Sequence, residues 1–327
     1  MTTQHEAALM AAARIEHAWS LVERFSTMRR QDPHEAAAAG EEIARRLRDL
    51  GLPARVHRPR LYLAVPKDAH VTLGGRCLAA RPAQLAQTAP HGLTTPLVYV
   101  ESPINPPPGW TPASAPLFGQ GYNPAPGMPD VRGKLVLFRG MILAERILAF
   151  AALGAAGVIA INPGPDTHWG SGSAIWGTPD LDDLPGRTPI PGCAVNAPDG
   201  AALIEAAARG ESATLTTVVE EGWFDQVLPE IRIPGAHEPD RFVLLHGHYD
   251  SWDVGVGDNA TGDACMIEVA RLLHEHRAHL RRGVRICWWP GHSTGKFAGS
   301  TWYADEFARD LAHGCVAHFN CDSPGCR

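Results

Sequence analysis

The chain has 327 residues, is 45% hydrophobic and carries a formal net charge of −6. That length suffices for two domains with their own cores. Lys/Arg and Asp/Glu are spread along the chain with no basic tract or stripe, which excludes nucleic acid as an expected partner.

The start, MTTQHEAALMAAARIEHAW, has no basic segment followed by an apolar one, so it does not read as a signal peptide. Helices are predicted over 4–27 and 34–50, the second started by Asp32-Pro33 and stopped by Gly51. ARVHRPRLYLAV (54–65) switches to strand-like alternation. The 101–130 stretch is crowded with Pro and Gly and is predicted to be irregular. GKLVLFR (133–139) reads as a strand, 142–157 as a helix and VIAIN (158–162) as a buried strand. The apolar run 147–161 is too short and too rich in Gly and Ala to span a bilayer, so no membrane partner is expected. PIPGCAVN (189–196), a helix over 197–210 and the strand 212–220 complete a unit of ordinary domain size. Beyond Gly222, strands at 241–247, 283–290 and 314–321 alternate with helices at 260–276 and 298–313. Such alternation predicts an α/β fold with a doubly wound, mainly parallel sheet and helices on both faces. The seven cysteines are scattered and form no C-x-x-C pair, which predicts free thiols and a cytoplasmic location.

In open α/β sheets ligands collect beyond the carboxyl ends of the strands. Here the first strand of the last segment ends in His248-Tyr249-Asp250, and Asp258 precedes the next helix. The second strand runs into Pro290-Gly291-His292-Ser293-Thr294-Gly295, and the third ends at Asp322. Hard and borderline divalent metals want imidazole and carboxylate gathered from several elements, with an open position for water. Asp250 either accepts a proton from the second ring nitrogen of His248 or assists catalysis from behind it. Each piece also has an ordinary reading. Asp258-Asn259 resembles a helix N-cap, Asp322 before Ser-Pro-Gly a turn, and His292 a solvated loop residue.

GHYDSWDVGVGDNATG followed by CDS at a strand end resembles the zinc metallopeptidases that include bacterial leucyl aminopeptidases and glutamate carboxypeptidase II. Transferrin receptor is a non-catalytic relative. The resemblance implies that His248 binds one metal, that Asp258 bridges two, that Asp250 stands behind the ligand His, and that Asp322 is a further ligand. It implies two zinc ions and hydrolysis of a peptide or small amide substrate. DVRGKLVLFRG, AALGAAGVIAIN and PIPGCAVNAPDGAALIEAA resemble a protease-associated domain. The implied division is 1–92 and 222–327 for the peptidase-like domain, with 93–221 inserted.

Two departures stand out. The family's Glu-Glu pair, general base and ligand, falls where this chain reads WWPGHSTGKFAGSTWYA, and no acid is present there. His292 is the candidate to replace either the base or the ligand, Ser293 or Thr294 only to ligate weakly or position substrate, and Glu306 sits too far into the next helix. The family's final His ligand also has no counterpart before Arg327, which predicts a chain truncated at its C-terminus. The favoured expectation is a metal-dependent hydrolase. The alternative is a catalytically silent relative that binds a ligand or protein through the same fold. A third reading makes 93–221 a protein-interaction domain on a scaffold.

Overall fold

A computed structural model describes residues 3–101, 127–183 and 186–325. Most of the Pro/Gly-rich 101–130 stretch lies outside the described residues. The chain opens with helices α1 (Thr3–Ala12), α2 (Ile15–Phe25) and α3 (Pro33–Asp49). The one helix expected over 4–27 is two, because Arg14 is extended at φ −126° and ψ 124°. Its amide donates to Glu268 Oε1 at 2.7 Å instead of to the helix ladder. α3 starts with a capping box. The Asp32 side chain accepts from the His34 amide, and the Glu35 carboxylate accepts from the Asp32 amide.

Strands β1 (Ala54–His57) and β2 (Arg60–Leu73) divide the predicted 54–65 strand at Arg58-Pro59, since proline cannot donate to a ladder. There follow β3 (Arg76–Ala79), β4 (Arg81–Pro82), β5 (Ala89–Tyr99), β6 (Leu135–Arg139), α4 (Ala144–Ala152), β7 (Gly157–Ile161), β8 (Gly192–Val195), α5 (Ala197–Ala208) and β9 (Ser212–Asp225). The last elements are β10 (Leu228–Ile233), β11 (Glu238–His248), α6 (Thr261–Glu275), β12 (Arg282–Trp289), α7 (Ala298–Glu306), α8 (Ala308–Gly314) and β13 (Cys315–Asn320).

These elements form two compact units. One comprises Met1–Leu63, Trp176–Thr178 and Gly222–Arg327, and the other Ala64–Ile175 and Pro179–Glu221. The second unit begins at Ala64, where 93 was expected, because β2 to β5 belong to its sheet. That sheet runs β3-β2-β9-β5-β6-β7-β8-β4, with parallel pairing from β5 through β8. The β6 and β7 residues alternate between two cores. Leu135, Leu137, Ile159 and Ile161 face Leu203 and Ala206 of α5, while Val136, Phe138, Val158 and Ala160 face Ile147 and Phe150 of α4.

The first unit holds a five-stranded sheet in the order β1-β10-β12-β11-β13. β11 is parallel to β12 and β13, whereas β10 is antiparallel to β12 and β1 to β10. The mainly parallel sheet expected from sequence is therefore mixed. α2, α3 and α6 cover one face through Leu21, Phe25, Ile43, Met266 and Ile267. On the other, Tyr303 of α7 packs with Leu228, Phe242, Leu244 and Trp289, joined by Leu311 of α8. The helix expected over 298–313 breaks at Phe307 into α7 and α8.

β10 escaped the sequence reading because Glu230 and Arg232 interrupt its apolar run. Glu230 is fully buried, and three groups satisfy it. Its carboxylate lies 2.8 Å from His57 Nε2 and accepts from Arg232 Nε and the Tyr303 hydroxyl, each at 2.7 Å. Burial alone would raise its pKa, but these three bonds outweigh it and pull the group down to about 2 from 4.5. Because the folded-state pKa is lowered, the stabilisation is fully present above pH 4.5 and is lost as the pH falls toward about 2. Glu230→Gln is expected to flatten the dependence of unfolding free energy on pH across that window. Urea titrations at several pH values read the effect, which is on the order of 3 kcal/mol at most.

Candidate metal centre

His248 is the last residue of β11, paired beside Trp289 at the end of β12. Its side chain is 2% exposed. Nδ1 lies 2.8 Å from the Asp250 main-chain oxygen. A carbonyl can only accept, so Nδ1 carries the proton and Nε2 is left for a ligand. Nε2 stands 2.9 Å from Asp258 Oδ1 and 3.4 Å from Asp322 Oδ1. Neither oxygen is aligned as a hydrogen-bond acceptor, so this buried nitrogen has no hydrogen-bond partner. Burial works against charge on His248, but the Asp258, Asp322 and Asp250 carboxylates outweigh it and hold the imidazole pKa well above 6.5.

His292 lies in the loop after β12, where Gly291 adopts φ +66°. A Cβ on Gly291 would stand 2.8 Å from the Leu63 side chain, so this turn requires glycine. The His292 ring stacks on His248 with centroids 3.9 Å apart and planes 10° off parallel. Phe297 meets it edge-on at 4.8 Å. Burial, then the charge of His248, lower its pKa to about 3, so it is neutral. Ligand atoms of His248, His292 and Asp322 all lie within 4.8 Å of one another. Asp258 joins the set through His248.

The support expected from the Asp250 carboxylate comes from its main chain instead. The carboxylate lies 3.9 Å from His248 Nδ1 and is fully buried. Its two oxygens accept from the His292 amide at 2.9 Å and the Ser293 amide at 2.8 Å. Asp250 thus anchors the PGHST loop. Burial raises its pKa, against the opposing pull of His248 and these amides.

Asp258 sits in a short turn, 256–260, after Gly255 at φ 42°, and its bond to Asn259 is cis. It is not a helix cap, since Ala260 occupies the N-cap of α6 without any side-chain bond. The His248 imidazole lowers its pKa against a smaller effect of burial. Asp322 follows β13 and is held at about 2, first by His248 and against burial.

His246 stays outside the cluster, its Nε2 3.3 Å from His318 Nδ1. Asp253 is a loop residue whose carboxylate lies 3.5 Å from Arg29. Sequence reasoning missed Arg30 and Asn259. Arg30 is fully buried and donates to the carbonyls of Tyr249, Val254 and Gly255 at 2.6, 2.8 and 3.0 Å. It stitches the loop after β11, and nothing in TMRRQDP marks it out. Asn259 binds three backbone groups at once, and its only signal was its place beside Asp258.

Two imidazoles with carboxylates, and an orphaned ring nitrogen facing those carboxylates, fit a zinc-type divalent ion. Among the described residues this is the one group of at least three such donors close enough to share an ion.

Residues 230–326 match the model of peptidase family M28. This segment is thus similar to that family. A probable glutamate carboxypeptidase of Zea mays, VP8, is 33% identical over 93 residues, which is 28% of this chain and 13% of the maize protein. The aminopeptidase NAALADL1 of Mus musculus is 36% identical over 94 residues, 28% of this chain and 12% of the mouse protein. The aligned part thus spans about one eighth of these relatives. Similarity of fold reaches further. An aminopeptidase from Aneurinibacillus superposes with a TM-score of 0.65 at 19% identity, covering 96% of this chain and 71% of its own. A peptidase M28 precursor from Shewanella amazonensis gives 0.69 at 18% identity, covering 95% and 72%. The M28 segment contains all four donors, and the fold is that of these α/β peptidases.

Dialysis against zinc tests the donor set. The chain is expected to retain zinc stoichiometrically, His292→Ala to lose it, and His246→Ala to retain it.

Proposed function

We propose that the chain is a metal-dependent hydrolase acting on peptide or small amide bonds. The observation that carries this reading is the buried, unpartnered Nε2 of His248, surrounded by Asp258, Asp322 and His292. His248, His292 and Asp322 would hold a zinc ion, with Asp258 beside them. Asp258 is 59% exposed at its side chain, which supports the bridging role toward a second ion. When bound, zinc polarises a carbonyl and acidifies water. The residues supply the rest. Asp250 fixes the tautomer of His248 through its carbonyl and the position of His292 through its carboxylate. His292, neutral with a pKa near 3, is read as a ligand and not as the base, because so weak a base takes few protons near pH 7.

Residues 93–221 are read as a protease-associated domain. Its landmarks fall on β6, on the passage from α4 to β7, and on β8 with α5. A reducing, cytoplasmic setting is read from the scattered cysteines of the sequence. No described helix is long and apolar enough to cross a membrane.

One observation favours the second reading, a metal-binding relative without hydrolysis. The segment 290–300 contains no carboxylate to serve as base. Aminoacyl and peptidyl amide substrates, assayed with zinc, cobalt or manganese, separate the two. Hydrolysis that chelation removes and metal restores, and that His292→Ala abolishes, supports the enzyme. Stoichiometric metal without turnover supports the silent relative.

A further inference from the structure

We infer that Asn259 is the positioning residue of the metal centre, a single amide that sets three of the four donors; this rests on the metal-site reading above. Asn259 is fully buried. Its Nδ2 donates to the carbonyl of His248 and to the carbonyl of Cys321, both at 2.9 Å. Its Oδ1 accepts from the amide of Ser323 at 3.0 Å. His248 is therefore gripped at its own main chain. Asp322 is gripped through both neighbours in sequence, Cys321 and Ser323. Asp258 is the preceding residue and shares a peptide bond with the clamp. His292 lies outside this grip and is held by the Asp250 carboxylate.

The chemistry of the three contacts specifies an amide. Two carbonyls need two N–H donors, and one amide N–H needs an acceptor, which is what Asn offers and Asp does not. An aspartate of the same shape would set a carboxylate oxygen against two carbonyl oxygens. Two glycines make room for the clamp. A Cβ on Gly262 would lie 2.2 Å from Asn259 Oδ1 and 2.6 Å from the Cys321 oxygen. A Cβ on Gly247 would lie 2.6 Å from the same oxygen and 3.0 Å from Asn259 Nδ2. The ends of β11 and β13 and the start of α6 thus approach each other only because these positions lack side chains and one amide bridges the gap. Groups that orient ligands without touching the metal typically contribute 10- to 100-fold in affinity.

The test is zinc affinity by competition with a chromophoric chelator, together with the visible spectrum of the cobalt(II)-loaded chain. The variants are Asn259→Ala, Asn259→Asp and Gly262→Ala, with Ile267→Ala as a control for lost packing in α6. Asn259→Ala is expected to weaken zinc about 10- to 100-fold and change the cobalt bands, and Asn259→Asp to weaken it further. Gly262→Ala, which displaces the clamp while keeping its amide, is expected to weaken zinc as well. In metal-free protein the Ser323 amide is expected to lose hydrogen-exchange protection in Asn259→Ala but not in Ile267→Ala. The inference is overturned if the Asn259 variants bind zinc within twofold of the parent chain, or lose no more affinity than Ile267→Ala. A parent chain that binds no zinc overturns the metal-site reading itself, and this inference with it.

Discussion

The structure turns on one desolvated imidazole. His248 is buried to within 2% of full coverage and faces the carboxylates of Asp258 and Asp322. A buried charge is costly unless it is paired and hydrogen-bonded. Here the carboxylates are close enough to pair but are not aligned to bond, which is the observation behind the metal-site reading. Burial works against charge on this ring, and the Asp258, Asp322 and Asp250 carboxylates outweigh it and raise its pKa well above 6.5.

Everything around the site serves that placement. Parallel β11, β12 and β13 deliver His248, the loop bearing His292, and Asp322 to one rim. Asp250 shows how backbone and side chain divide the work, with its carbonyl fixing the His248 ring and its carboxylate catching the His292 loop. Asn259 ties the rim from the other side. The Glu230 cluster does a different task within the same sheet, letting a charged residue sit in β10 so that β1 can extend the sheet antiparallel.

The donors were legible in the sequence because chemistry at strand ends repeats every few dozen residues and short motifs preserve it. His248, Asp258, His292 and Asp322 could each be named from position as residues that the fold brings together, their role as metal donors being the proposal, and the helix start at Asp32-Pro33 from its capping signature. The supports were not legible. Asp250 reads as a side-chain partner of His248, but the choice between its carbonyl and its carboxylate is made by the turn that follows β11. Asn259 reads as a cap because capping and clamping use the same amide. β10 was invisible because a Glu and an Arg broke its pattern, and only His57 and Tyr303, far away in sequence, make that Glu tolerable in the core. The break between α1 and α2 depends on Glu268, some 250 residues on. Each miss is a case of tertiary partners overriding a local pattern.

The central claim is that the four side chains form one divalent-metal site. Crystals of the chain soaked in zinc, with diffraction recorded on both sides of the zinc absorption edge, test it most directly. The account predicts an anomalous peak about 2.0–2.1 Å from His248 Nε2, within bonding reach of His292 and Asp322 and beside Asp258. A map with no peak there, or with zinc only at the pair His246 and His318, would contradict it.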